Sequence, residues 1–284
     1  MVSQKALGVN MKKGIGFFAF PILSVICLLV FVEQTPAACR NPNLVDSSDP
    51  HLIYVGASKF VEIEWFGHSF FQITSSSGTK VITDPFYPMG YPMPEVWPHV
   101  VTVGREYRNH NNIGLAKGNP IILRGLVEGT LEWNDINKTV RDILIYNVPI
   151  FQRGYAGYRE SLQGSAFVFE VDGLCILHSG DVSEPFNEDQ LQFIGNIDIL
   201  LVPIGGRFTT GPAGAQEIIE QLKPKIIVPM HYFSNSIVLD QFIDGPYPPR
   251  FLEINRFSVS RDTLPQIPEI IVPKVIWHGR EFDY

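Results

Sequence analysis

Two apolar runs separated by a single Asp-Gly pair constrain the fold of this chain more than any other feature. Ala166-Phe167-Val168-Phe169-Glu170-Val171 precedes Asp172-Gly173, and Leu174-Cys175-Ile176-Leu177-His178 follows it. Asp-Gly supplies the positive-φ residues that a tight two-residue turn demands, so the segment predicts a β-hairpin. Upstream, Val61 to Phe66 alternates with period two. Phe70 to Thr74, Lys80 to Thr83, Val100 to Val103, Pro120 to Leu123 and Ile143 to Val148 are further strand-like runs between turns. Downstream the pattern changes. A helix is expected over Asn187 to Phe193 and a buried strand over Ile197 to Pro203. A second helix opens at Gly211-Pro212, carries Ala215, Ile218, Ile219 and Leu222 on one stripe, and stops at Pro224, before the strand Ile226 to Met230. Hairpins first and strand–helix–strand units later predict an α+β or mixed α/β layered sandwich.

The 284 residues, 45% of them hydrophobic, suffice for one large core but not clearly for two, so one domain is expected over residues 55–284. A net charge of −7 lacks the basic surface that nucleic acid requires, and no repeat period is present. Residues 1–39 read as an address. Met11-Lys12-Lys13 is a positive start, Ile15 to Val32 is almost wholly apolar, and Thr35-Pro36-Ala37-Ala38-Cys39 supplies small residues. This is the layout of a secretory signal peptide. The run also approaches the ~18 residues at which a membrane anchor becomes credible, and Cys39 resembles a lipoprotein acceptor, although Pro36 departs from that pattern. The expectation is an exported protein, whether secreted, periplasmic or attached to a membrane through its N-terminus. Cys175, inside an apolar strand, reads as a buried inert thiol; a bond to Cys39 is permitted by export without being implied. Asn137-Lys138-Thr139 matches a glycosylation acceptor, relevant only in a eukaryote.

Three segments set polar side chains just past apolar strands: Gly104-Arg105-Glu106-Tyr107-Arg108-Asn109-His110, His178-Ser179-Gly180-Asp181, and His231. Strand ends collect ligands because the sheet fixes the backbone while the loops stay open. His110, Asp181 and His231 together would suit zinc, and manganese or iron could use the same donors. His68 and His178 read more simply as hydrogen-bonded or solvated residues.

Trp65-Phe66-Gly67-His68-Ser69-Phe70-Phe71, Ile82-Thr83-Asp84-Pro85, His178-Ser179-Gly180-Asp181, Gly205-Gly206-Arg207-Phe208-Thr209-Thr210-Gly211-Pro212 and Pro229-Met230-His231-Tyr232 occur in that order. Together they resemble the metallo-β-lactamase superfamily, and most nearly its L-ascorbate-6-phosphate lactonase-like hydrolases, with the N-acyl-phosphatidylethanolamine phospholipase D group more distant. The resemblance implies a four-layer αβ/βα sandwich with a metal site at one edge. It also implies that this site is degenerate. Where the family carries a His-x-His-x-Asp-His run, this chain has Arg105, Tyr107, Asn109 and His110, and Gln152 stands at a further histidine position after Val148-Pro149. The first-metal positions Arg105, Tyr107 and Gln152 are thus poor ligands. The second-metal positions Asn109, His110, Asp181 and His231 keep three good donors and an amide.

The resemblance, with these substitutions, implies a hydrolase with a reduced, single-metal site acting on an ester, lactone or phosphodiester. The alternative is a catalytically inactive binding protein, a pseudoenzyme that keeps the fold and its cleft for a small molecule. Arg105 is expected either to neutralise Asp181 where the first metal would sit or to lie on a solvated loop. His178 is expected to support Asp181 from behind, or with Tyr107 to assist proton transfer or oxyanion stabilisation. The loops Tyr87 to Pro98 and Tyr155 to Ser165 are candidate pocket walls, and the segment after Tyr232 is expected to pack over an edge of the sandwich or to reach toward a partner.

Overall fold

The computed structural model describes Cys39 and residues 59–152, 162–232 and 237–275. The apolar N-terminal run, and most of the loop expected over Tyr155 to Ser165, lie outside these residues. Among the described residues, no helix is long and apolar enough to cross a membrane.

Two sheets form the frame. The first contains β1 (Val61–Gly67), β2 (Phe70–Thr74), β3 (Lys80–Thr83), β4 (Val100–Val103) and β5 (Ile121–Arg124). The second begins with β6 (Asn137–Val140), β7 (Ile143–Gln152), β8 (Leu162–Val171) and β9 (Leu174–His178). It continues with α1 (Glu188–Ile194), β10 (Ile199–Pro203), α2 (Pro212–Leu222) and β11 (Ile226–Met230). After α3 (Ile237–Ile243) come β12 (Pro249–Phe251), β13 (Arg256–Val259) and β14 (Glu269–Val272). The sheet orders are β13-β1-β2-β3-β4-β5 and β12-β14-β11-β10-β9-β8-β7-β6.

Local sequence explains the elements. The β8–β9 hairpin turns at Asp172 and Gly173, with φ of 50° and 78°, as the turn chemistry demands. Asn187 caps α1 by accepting from the Gln190 amide, while the Gln190 side chain accepts from the Asn187 amide, a reciprocal capping box. Gly211 and Pro212 open α2, and left-handed Lys223 closes it before Pro224.

Alternation in the first sheet divides its side chains between two apolar clusters. Val61, Ile63, Phe71, Ile73, Val81 and Val100 join the large core between the sheets. Phe70, Ile82, Val101 and Val103 face outward into a smaller cluster with Phe86, Tyr91 and Val96. The central strands β9, β10 and β11 are buried throughout, as expected of strands covered on both faces. Ala215, Ile218 and Ile219 of α2 and Phe242 of α3 cover the second sheet. Sheets covered in this way form an αβ/βα sandwich. Its outer face on the first sheet is covered, among the described residues, chiefly by the loop between β3 and β4.

Two features depart from the sequence reading. The segment after Tyr232 does not simply pack over an edge: β13 pairs with β1, and β12 and β14 widen the second sheet beside β11. Cys175 is not an inert thiol but forms a disulfide with Cys39 across 136 residues of sequence. Both cysteines are buried, and the Cys39 carbonyl accepts from the Asn196 amide. Cys39 therefore belongs to the folded body, and its sulfur is unavailable for lipid.

Candidate metal centre

The site lies where strands from both sheets end. His68 occupies the turn between β1 and β2, Arg105 to His110 follow β4, Gln152 ends β7, Asp181 follows β9, and His231 follows β11. One nitrogen from each of His68, His110 and His231 lies within 4.8 Å of the other two. Asp181 joins them: its Oδ2 is 2.9 Å from His110 Nε2, and its Oδ1 is 3.5 Å from His231 Nε2.

The backbone is bent to achieve this. His68, Asp84 and His231 have φ of 49°, 39° and 58°, a left-handed conformation uncommon outside glycine and worth about 1–3 kcal/mol of strain each. One local and one long-range hydrogen bond hold the His68 and His231 turns. The His68 carbonyl accepts from Trp65 Nε1 at 3.0 Å and from the His231 amide at 3.2 Å. Gly205 makes room for the last turn, since a Cβ there would overlap the His231 carbonyl oxygen.

Asp84 fixes His110. One Asp84 oxygen accepts from the Gly104 amide at 2.6 Å, and the other lies 3.1 Å from His110 Nδ1. The Asp84 carboxylate behind Nδ1 is the carboxylate–histidine arrangement common behind metal ligands; in the protonated imidazole the Nε2 proton faces Asp181, and it is this proton that an ion would replace. His178, by contrast, donates from Nε2 to the Ser69 carbonyl at 2.9 Å. The expected support of Asp181 is therefore not made directly; His178 steadies the strand that leaves the His68 turn.

Arg105 stands with Nη1 3.6 Å from Asp181 Oδ2, and its guanidinium lies over the Tyr107 ring. Of the two readings for Arg105, the structure takes the ion pair. Gln152 donates from Nε2 to the same oxygen at 2.8 Å. Tyr107 is half-exposed, while Asn109 Nδ2 is 3.4 Å from His68 Nε2.

Burial and mutual repulsion shape the charges. Burial holds the His68 and His231 imidazoles below their usual pKa, and neighbouring histidines add to the effect. Burial alone would lower His110 too, but Asp181 and Asp84 raise it to about 9. Burial opposes the charge of Asp181, yet His110 and His231 keep its carboxyl well below the carboxylate range.

Several buried polar atoms lack a hydrogen-bond partner here: His68 Nδ1, Asn109 Oδ1, Gln152 Oε1 and Asp181 Oδ1. Such atoms are costly unless something satisfies them. Clustered imidazoles, a carboxylate oxygen and an amide oxygen match the donor set of a divalent transition metal, so the residues fit an ion. Sequence reasoning had undervalued His68 and given Asp84 no role. The signal for Asp84 was an aspartate directly after a strand.

Fold and site together define a metallo-β-lactamase-type protein. Residues 62–231 match the model of the Beta-lactamase superfamily domain, and the chain belongs to that family. A metal-dependent hydrolase of Thermococcus kodakarensis is 30% identical over 196 residues, covering 61% of this chain and 84% of that protein. A metal-dependent hydrolase of Archaeoglobus fulgidus is 31% identical over 201 residues, covering 61% and 83%. Among solved structures, one from Thermotoga maritima, described as a Zn-dependent hydrolase of the metallo-β-lactamase superfamily, is 29% identical with a TM-score of 0.56. It covers 75% of this chain and 98% of its own. A structure from Parabacteroides distasonis shares the fold at 18% identity and a TM-score of 0.52, covering 66% and 88%.

Proposed function

We propose that this protein is a metal-dependent hydrolase with one ion, acting on a small ester, lactone or phosphodiester. The observation that carries the reading is the meeting of three imidazoles beside the unpartnered Oδ1 of Asp181, at the edge of a cavity of about 200 Å³. His68, His110, His231 and Asp181 would hold the ion, with Asn109 Oδ1 as a weaker donor. A bound divalent cation supplies Lewis acidity and makes water a usable nucleophile near neutral pH.

The rest falls to the chain. Met89, Tyr91, Phe208, Tyr232 and Val238 give the cavity apolar walls, and Asn109 and Arg207 add polar groups. Apolar walls shed water and orient an apolar substrate body. The Tyr91 hydroxyl donates to the Tyr232 carbonyl at 2.9 Å. Burial pushes that phenol up to about 12, so it stays protonated and acts as wall rather than base. We further propose an exported, oxidising setting for the protein, which the Cys39–Cys175 bond supports.

The inactive-scaffold reading draws on one specific observation, the hold of Arg105 and Gln152 on Asp181. Elemental analysis separates the two readings. The hydrolase binds one equivalent of zinc, manganese or iron, loses it in the His110→Ala/His231→Ala double variant, and turns over at least one substrate of a panel of esters, lactones and phosphodiesters. Protein that takes no metal under any loading is the scaffold.

A further inference from the structure

The two oxygens of Asp181 live in different surroundings. Oδ1 has no hydrogen-bond partner and faces His231. Oδ2 accepts from Gln152 Nε2 at 2.8 Å and has Arg105 Nη1 at 3.6 Å. The carboxylate is 4% exposed, so these neighbours, with His110, take the place of solvent. Arg105 is itself 18% exposed and braced against the Tyr107 ring. Gln152, the last residue of β7, is buried.

We propose that Arg105, seconded by Gln152, is a fixed internal cation on Oδ2 of Asp181 that limits the site to a single ion. The inference rests on the metal-site reading but concerns the opposite side of the carboxylate. A guanidinium cannot ligate a metal, is charged at every working pH, and repels a cation brought to the same oxygen. It also places a positive charge 3.6 Å from Oδ2, while Oδ1 faces the imidazole of His231. Arg105 is thus a positioning residue rather than a catalytic one.

The test rebuilds the displaced donors. In an Arg105→His/Gln152→His variant, two imidazoles would flank Oδ2, a three-donor set adequate for zinc. Zinc titration followed by elemental analysis should find one ion more in this variant than in the native protein. That increment is expected whatever the native protein takes, so a native count of zero sinks the hydrolase reading while leaving this one open to support. A native count of two overturns the proposal, as does a folded variant with no additional ion. If the double variant fails to fold, metal-free melting of single variants decides. Arg105→Met should lower the melting temperature by roughly 5 °C or more, with Arg105→Lys recovering part of the loss. Equal melting of native and Arg105→Met protein overturns the proposal.

Discussion

At the scale of single residues, the centre is a contest between protons and a metal for the same lone pairs. His110 has a pKa raised to about 9 because two carboxylates, Asp84 and Asp181, flank it. In the metal-free protein it therefore keeps its proton at neutral pH, and an arriving ion must displace it. The sign follows directly: affinity rises with pH up to about 9 and falls about tenfold per unit below it. Calorimetry at pH 7.5 in two buffers of different ionisation enthalpy should register about one proton released per zinc bound. Asp84→Asn, which keeps the shape but removes the charge behind Nδ1, should weaken zinc about 10–100-fold in a chelator competition. The ordered motifs pointed to His110, Asp181, His231 and Asn109, and the structure brings Asp181 beside His110 and His231. His68 was not legible in the sequence, because what brings it to the site is a backbone hydrogen bond from a residue 163 positions later, His231. No local pattern records such a contact.

At the scale of elements, the hairpin at Asp172-Gly173, the capped α1 and the proline-opened α2 were all legible, since each is specified within a few residues by turn or cap chemistry. The strands β12, β13 and β14 were not. β12 and β13 are short and mostly exposed, and only pairing with distant β1 and β11 makes this segment sheet rather than loop. Strand ends also explain the precision of the site. His231 ends a buried strand in a left-handed turn packed against Gly205. Gly205→Ala places a methyl where the His231 carbonyl sits, so the turn must shift. This variant should keep the circular dichroism of the native fold and lose at least about tenfold in zinc affinity, because ligand geometry tolerates little displacement.

At the scale of the whole molecule, one covalent link joins the start of the folded body to a central strand. Closing 136 residues with a disulfide restricts the unfolded chain, an effect typically worth about 2–5 kcal/mol. Cys39→Ser/Cys175→Ser should lose that much in urea denaturation while still binding zinc, since neither sulfur touches the centre. The sequence permitted the bond without demanding it; only the packing of Cys39 beside β9 decides it. The same link divides the metal centre in an unexpected way. His68, Arg105, Asn109, His110 and Gln152 fall inside the covalent ring, whereas Asp181 and His231 hang outside it. A protease that nicks the exposed turn near Leu131 would therefore release nothing. Both fragments would stay tethered through sulfur, and the centre could outlive the cut until a reductant arrived.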